Sequence, residues 1–463
     1  MRKFFNFEKL GTNYRTEVMA GLTTFFAMAY IIFVNPLILA DAGMNPDGVF
    51  VATVIATVVG TLIMALVAKV PYAVAPGMGL NAFFTYTVCM TLNFKWQEAL
   101  AMVFICGIIN IIITVTKIRK VIIKAIPKSL QLAIGGGIGL FIAYIGLKNA
   151  GFLTYGSTSE MSTAGADIVP GLANFDNLGV LIAVAGLVII VVLMMLKVKG
   201  AIFIGIVGAT LIALVTGFVS LPKGALIQNN VGEVKDVAFA FFGEVGFKSL
   251  FSEPGRIIPA LLVIFAFSLS DTFDTIGTFI GTGRKTGIFD EADEKALETS
   301  TGFKSKMDKA LFADSIATSI GALAGTSNTT TYIESAAGIG VGGKSGFASV
   351  ITALLFLLCL PLMSLFGIVP SQATAPALII VGVLMAESFA GIKWDDIEEA
   401  LPAFLTVLIM AFAYNISYGI AAGFIFYCII KIVKGKAKEV HPILYISTVL
   451  FILNFVVLAL GLI

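Results

Sequence analysis

The chain has 463 residues, of which 58% are hydrophobic and only 13% charged, with a formal net charge of +2. An ordinary soluble domain carries roughly 25% charged residues, so this composition, with a mean hydropathy of +0.99, excludes one. The near-zero net charge by itself points to no partner, and no nucleic acid is expected.

Apolar runs of about 20 residues match the roughly 30 Å hydrocarbon core of a bilayer. They recur from Thr16 to the C-terminus, so the chain reads as a polytopic membrane protein. The polar start MRKFFNFEKLGTNYRTE lacks the apolar core of a cleaved signal, and the first span is expected to stay. Apolar runs and their breakers then place spans near 17–40, 49–69, 79–91, 96–118, 130–148, 178–197 and 201–217. A second set lies near 256–281, 309–324, 332–341, 345–366, 374–390, 401–415 and 417–433. A last run, 442–462, is either a fifteenth span or a helix along the bundle. Residues 218–255 connect the two sets on the outside, and 282–308 form a charged inner loop read as a solvated connector.

Lys and Arg accumulate in cytoplasmic loops. With the N-terminus inside, only Lys95, Lys148, Lys223, Lys235, Lys248 and Arg256 of the 30 Lys and Arg fall outside. A shift of one span in the middle would destroy that asymmetry. The four cysteines, Cys89, Cys106, Cys359 and Cys428, lie in apolar runs without paired spacing, so neither a disulfide framework nor a zinc site is expected. The single histidine, His441, follows a lysine-rich linker. No metal ligand cluster and no nucleophile paired with a base is visible, which argues against an enzyme.

Two spans are too short to cross as helices. In YAVAPGMGLNAFFTY (Tyr72 to Tyr86), Pro76, Gly77 and Gly79 interrupt an extended stretch before a helix resumes near Leu80. In GTSNTTTYIESAAGIGVGG (Gly325 to Gly343), β-branched residues precede a helix beginning near Glu334. Each is the third element of its set of seven. Non-helical backbone at membrane depth is tolerated only where protein or a cavity surrounds it, and short, interrupted segments in matching positions of two halves point to a transporter binding site. An odd number of spans per half inverts the second repeat relative to the first.

Glu17, Glu98, Asp314 and Glu387 sit near predicted span ends, where an interfacial position accounts for them. Asp271, Asp274 and Glu334 are deep, and an ionisable group at that depth costs at least about 2.5 to 3.5 kcal/mol, which makes it a functional candidate. Asp271, Asp274, Thr275 and Thr278 are spaced three or four apart and form one polar stripe on a helix. No Lys or Arg shares their depth. A protonated acid, a bound cation or a ligand hydrogen-bond donor must take that role.

The stretches TEVMAGLTTFFAMAYIIFVNP, APGMGLNAFF, DTIGTFIG, GTSNTTTYIESAAG, TAPALIIVG and KGKAKEVHP, in unbroken order from residue 1 to about 445, resemble the AzgA-like purine permeases of the nucleobase/cation symporter-2 superfamily. The resemblance implies an all-α polytopic fold of fourteen transmembrane segments in two inverted repeats of seven, 1–217 and 256–434, with 435–463 as an extra apolar segment. It further implies short β-strands in segments 3 and 10, a core domain (16–128 and 256–366) and a gate domain (129–217 and 367–434). Substrates would be adenine, guanine or hypoxanthine, taken up with protons as coupling ion and no other cofactor, in a cell membrane with a cytoplasmic N-terminus and often as a homodimer. By this resemblance Glu334 is the main base-binding acid and Asp274 a second one, with Asn81, Gly79, Phe84 and Thr331 completing the expected substrate contacts. Asp274, Glu334 and Asp271 are the proton-coupling candidates, and Phe25, Phe83, Phe84 and Phe273 the rings that could stack on a purine. The rival readings are a same-fold uracil, xanthine or anion transporter and an ion channel.

Overall fold

Polar caps in the sequence set the helix starts. Asn13 Oδ1 accepts the Thr16 N–H at 3.0 Å and opens α1 (Tyr14–Met28), which resumes as α2 (Ile31–Ala40) after a break at Ala29 and Tyr30. Asn45 caps α3 (Pro46–Ile63), with Pro46 at the first position, where its missing N–H is no loss. The computed structural model describes residues 1–116, 125–157, 168–221, 231–283, 287–290, 293, 305–366 and 368–459. Most of the charged inner loop, with 284–286, 291–292 and 294–304, lies outside the described residues.

After α3 the chain forms strand β1 (Val74–Pro76) and half-helix α4 (Met78–Ala82), which continues in wider turns through Phe83–Thr91. Then come α5 (Trp96–Val115), α6 (Lys128–Asn149), the hairpin β2 (Leu153–Ser157) and β3 (Ile168–Leu172), α7 (Leu178–Met195) and α8 (Ala201–Val215). The second half holds α9 (Pro254–Thr278), α10 (Lys306–Ala324), β4 (Thr329–Thr331) and α11 (Ser335–Gly340). It ends with α12 (Gly346–Leu357), α13 (Ser371–Met385), α14 (Ile397–Phe412), α15 (Ile416–Val433) and α16 (Pro442–Ala459). Among the described residues, eight helices are long and apolar enough to cross a membrane by themselves. The helices coincide with the predicted spans to within a few residues, whereas the β2–β3 hairpin has no counterpart in them.

Helices α1, α3, α5, α10, α11 and α12 pack on one another, and α6, α7, α13, α14 and α15 form a second packed group. α4 and α9 touch α6, and α9 also touches α15, so the broken element and the acidic helix lie along the seam.

Strands β1 and β4 cross antiparallel, with Val74 opposite Thr331, Ala75 opposite Thr330 and Pro76 opposite Thr329. Both short strands find partners for their backbone, as burial demands. Beyond the strands, Gly77 N–H donates to Asn328 O (2.9 Å) and Tyr332 N–H to Ala73 O (3.0 Å). Thr61 Oγ1 accepts the Val74 N–H and donates to the Val74 carbonyl, each at 3.0 Å, while Ser335 Oγ accepts the Ala73 N–H. The close approach requires glycine at 77, where a Cβ would come within 2.5 Å of Thr330 Cγ2.

Glu17 and Glu98 stand in the first turns of α1 and α5, near the span ends as expected, but they are buried brackets and not exposed interfacial groups. Glu17, fully buried, accepts the Thr12 hydroxyl (2.7 Å) and the backbone N–H groups of Lys344 (3.0 Å) and Ser345 (3.3 Å), tying α1 to the start of α12. Glu98 pairs with Arg256 at 3.1 Å and accepts the Ser249 hydroxyl (2.7 Å) and Lys95 N–H (2.9 Å), tying α5 to α9. Their carboxyls are satisfied by protein partners, so neither depends on water or headgroups. Glu387 is exposed.

Candidate functional site

Glu334 occupies the residue before α11, where the chain turns from strand into half-helix. Its Oε1 accepts a hydrogen bond of 2.5 Å from the hydroxyl of Tyr30, which stands at the break between α1 and α2. Tyr332, two residues before, points its hydroxyl to the Pro76 carbonyl at 2.6 Å and so pins the strand crossing. Asp274, on α9, accepts the Thr330 hydroxyl at 3.3 Å and lies within electrostatic reach of Glu334, Tyr30 and Tyr332. As residues both are half-buried, whereas the strand residues around them are buried. They are the less enclosed of the acids gathered here, since Asp271 and Asp314 are buried.

Asp271 is one turn away and has a different environment. It is fully buried, and its Oδ2 accepts Asn110 Nδ2 (2.9 Å) from α5 and the Thr318 hydroxyl (3.2 Å) from α10. Asn110 in turn accepts from Ser268, and Thr318 also donates to the Thr329 carbonyl at 2.7 Å. The stripe predicted on α9 is present, but Asp271 is held inside the first packed group.

Asp314 corrects the sequence reading. Expected near a span end, it is instead buried in the middle of α10: Oδ2 accepts the Thr275 hydroxyl at 2.9 Å and Oδ1 the Thr331 hydroxyl at 2.7 Å. Ser305 and Asp308 form a capping box that starts α10 at Lys306, which puts Asp314 more than two turns inside the helix. The signal in the sequence was Asp314 with Thr318 four residues on, one buried face of a helix.

The remaining expected contacts divide. Gly79 packs against α6, where a Cβ would come within 2.2 Å of Ile138 Cγ2. Asn81 lies about 200° further round the same helix; it is buried and its Oδ1 accepts the Ser327 hydroxyl at 2.5 Å, leaving Nδ2 without a partner. Thr331 commits its hydroxyl to Asp314, and Phe84 is fully buried. Phe83 packs on Phe267 with ring centroids 4.7 Å apart and Phe25 on Phe356 at 5.0 Å, while Phe273 is buried beside Asp274. The structure thus brings together Asp274, Glu334, Tyr30 and Thr330, and sets Asn81, Thr331 and Asp271 behind them. Sequence reasoning passed over Tyr30, whose signal was a lone hydroxyl in FAMAYIIF beside a helix break.

The arrangement offers two acceptor carboxyls with no cationic partner among the described residues, at the crossing of two interrupted elements. Carboxylates so placed can accept hydrogen bonds from N–H donors of a ligand. The profile of the Permease family matches residues 15–422. The chain is 41% identical to the guanine/hypoxanthine permease PbuG of Bacillus subtilis over 99% of this chain and 100% of that one. It is 39% identical to the adenine permease AdeP of Escherichia coli, over 98% and 96%. Among solved structures, the transmembrane domain of a cyanobacterium bicarbonate transporter, BicA, superposes with a TM-score of 0.60 at 17% identity, covering 89% of this chain and 97% of that chain. That likeness is one of fold, a mostly helical polytopic membrane architecture. With its apolar helices, its two crossing strands and these relatives, the chain is a multi-pass membrane protein that belongs to the permease family of nucleobase/cation symporter-2 transporters.

Proposed function

We propose that this protein takes up purine nucleobases, adenine, guanine or hypoxanthine, together with protons. The observation that carries the reading is the antiparallel crossing of β1 and β4, beside which stand Asp274 and Glu334, half-buried residues without a cationic partner among the described residues. A purine presents ring N–H donors and acceptor nitrogens on one edge. Glu334, oriented by Tyr30, would accept a ring N–H, and Asp274 would accept a second or carry the proton. Relatives that are guanine/hypoxanthine and adenine permeases support the substrate class.

In this reading the fourteen segments form two inverted repeats, 1–217 and 256–434. The packed group of α1, α3, α5, α10, α11 and α12 is the core, and that of α6, α7, α13, α14 and α15 the gate. Transport would move the core past the gate in an elevator-like step, with the N-terminus cytoplasmic in the cell membrane. The positive-inside distribution supports that orientation. A same-fold uracil or xanthine carrier is the nearest rival; an anion carrier is disfavoured by two carboxyls without cations at the crossing.

Uptake of labelled hypoxanthine in cells lacking their own purine permeases tests this. Adenine or guanine should compete, uptake should rise as external pH falls and collapse with a protonophore, and Glu334→Gln should abolish it in a protein still present in the membrane. Normal uptake and affinity in Glu334→Gln would remove Glu334 from the site.

A further inference from the structure

Behind Asp274 four side chains form a row of oxygens. Asp274 Oδ2 lies 3.3 Å from Thr330 Oγ1, Thr330 Oγ1 lies 2.9 Å from Thr275 Oγ1, and Thr275 Oγ1 lies 2.9 Å from Asp314 Oδ2. Each of these contacts needs one hydrogen between its oxygens. A threonine hydroxyl carries one hydrogen, and an ionised carboxylate carries none. With both acids ionised there are two hydrogens for three contacts, and one pair of buried oxygens meets bare. With one acid protonated the row is complete, and it is complete in either direction.

We propose that Asp274, Thr330, Thr275 and Asp314 hold one shared proton, and that the two threonines relay it between Asp274, half-buried beside the crossing, and the buried Asp314. The step balances without a co-reactant. The proton leaves Asp274 Oδ2 for Thr330 Oγ1, the Thr330 hydrogen passes to Thr275 Oγ1, and the Thr275 hydrogen passes to Asp314 Oδ2. Asp274 ends as a carboxylate able to accept a ligand N–H, and the proton rides on Asp314. Thr331, donating to Asp314 Oδ1 at 2.7 Å, holds the far carboxyl in place without interrupting the row.

Among the described residues the surroundings add no competing cation. The titratable groups within electrostatic reach of the row are Glu334, Tyr30 and Tyr332 beside Asp274, Asp271 beside both acids, and Cys106 beside Asp314. Among the described residues none of these acids is ion-paired to Lys, Arg or His; the charged brackets involve Glu98, Glu398 and Glu439 instead. One proton on the row removes the repulsion between two buried like charges.

The relay rests on the proton-coupled reading above, and the test separates the two. In proteoliposomes of the purified chain, Thr275→Val keeps the shape and removes the hydroxyl. Hypoxanthine accumulation driven by a pH gradient should fall about a hundredfold, a loss in the range of removing a positioned proton-transfer group. Exchange of hypoxanthine across membranes without a gradient should continue at the wild-type rate, and Thr275→Ser should restore accumulation. Infrared spectroscopy of the ligand-free protein supplies a readout that needs no transport. A single protonated-carboxyl band that both Asp274→Asn and Asp314→Asn remove or displace supports the shared proton. Coupled accumulation at wild-type level in Thr275→Val, loss of exchange in that variant, failure of Thr275→Ser to rescue, absence of the band, or two bands each lost in one variant would overturn it. If the wild type moves no purine, the transport reading fails, and the infrared arm still decides the shared proton.

Discussion

Tyr30→Phe isolates the orientation of the proposed base-binding acid. The Tyr30 ring is 1% exposed and packed in the largest apolar cluster, so phenylalanine fills the same space and only the oxygen is lost. That oxygen donates to Glu334 Oε1 at 2.5 Å. A hydrogen bond to a charged acceptor contributes about 1.5–3 kcal/mol. Because Glu334 is half-buried, solvent can replace part of the lost partner, and the lower part of that range, about 1.5–2 kcal/mol, applies. At 1.4 kcal/mol per tenfold, hypoxanthine should bind roughly 10- to 30-fold more weakly. Equilibrium binding of labelled hypoxanthine to the purified protein measures this, with thermal unfolding as a check on the fold. Tyr332→Phe is the control: its hydroxyl serves the Pro76 carbonyl at the strand crossing, so its loss should lower stability. Binding in Tyr30→Phe within about twofold of wild type, in a protein of normal stability, would refute the idea that Tyr30 orients a ligand-binding Glu334.

Three further outcomes follow from the packing. Gly338→Ala should cost about 1–3 kcal/mol and reduce transport, since a Cβ there would come within 2.1 Å of Thr24 Oγ1 and 2.6 Å of the Ala20 carbonyl and push α11 off α1; thermal unfolding and uptake measure the two effects. Arg256→Ala leaves the buried Glu98 without its cation and should destabilise by about 2–3 kcal/mol, less than a fully buried pair because the arginine is partly exposed, and Arg256→Ala with Glu98→Gln should recover part of the loss. Hydrogen bonds from Lys436 and Lys431 hold the Glu398 carboxyl below its ordinary range. A depressed folded-state value means stability that is present above the unfolded value and lost as pH falls through the folded one. Acidification below about pH 4, or Glu398→Gln at neutral pH, should therefore speed hydrogen exchange in the linker from Lys434 to His441.

The helices were legible because length, apolar runs and caps agree. Asn13, Asn45 and Asn415 each stand where a helix begins and accept a backbone N–H, and the span edges follow them closely. The two crossing strands were legible for a different reason: β-branched residues, Pro76 and paired glycines cannot continue a helix in a short apolar run. The β2–β3 hairpin was not, because LTYGS and IVPGL carry no alternation strong enough to distinguish strand from loop, and their pairing joins residues separated along the chain.

For the site, the isolated acids were legible and helical phase was not. Glu334 and Asp274 stood out as carboxyls within apolar sequence, and both reach the crossing. Asp314 did not, since DKALFADS looks like the polar margin of a span, and its burial arises from α10 packing against both α3 and α5. Asn81 shows the same limit from the other side. It stands near the start of the half-helix, but Gly79 faces α6 and Asn81, two residues on, turns away towards Ser327. Spacing names the residues on one element; which of them meets a ligand and which meets a neighbouring helix depends on the rotation that close glycine contacts impose. A single added methyl at Gly79 would clash with Ile138 and force α4 to rotate or withdraw, moving Asn81 and the β1 end of the crossing together.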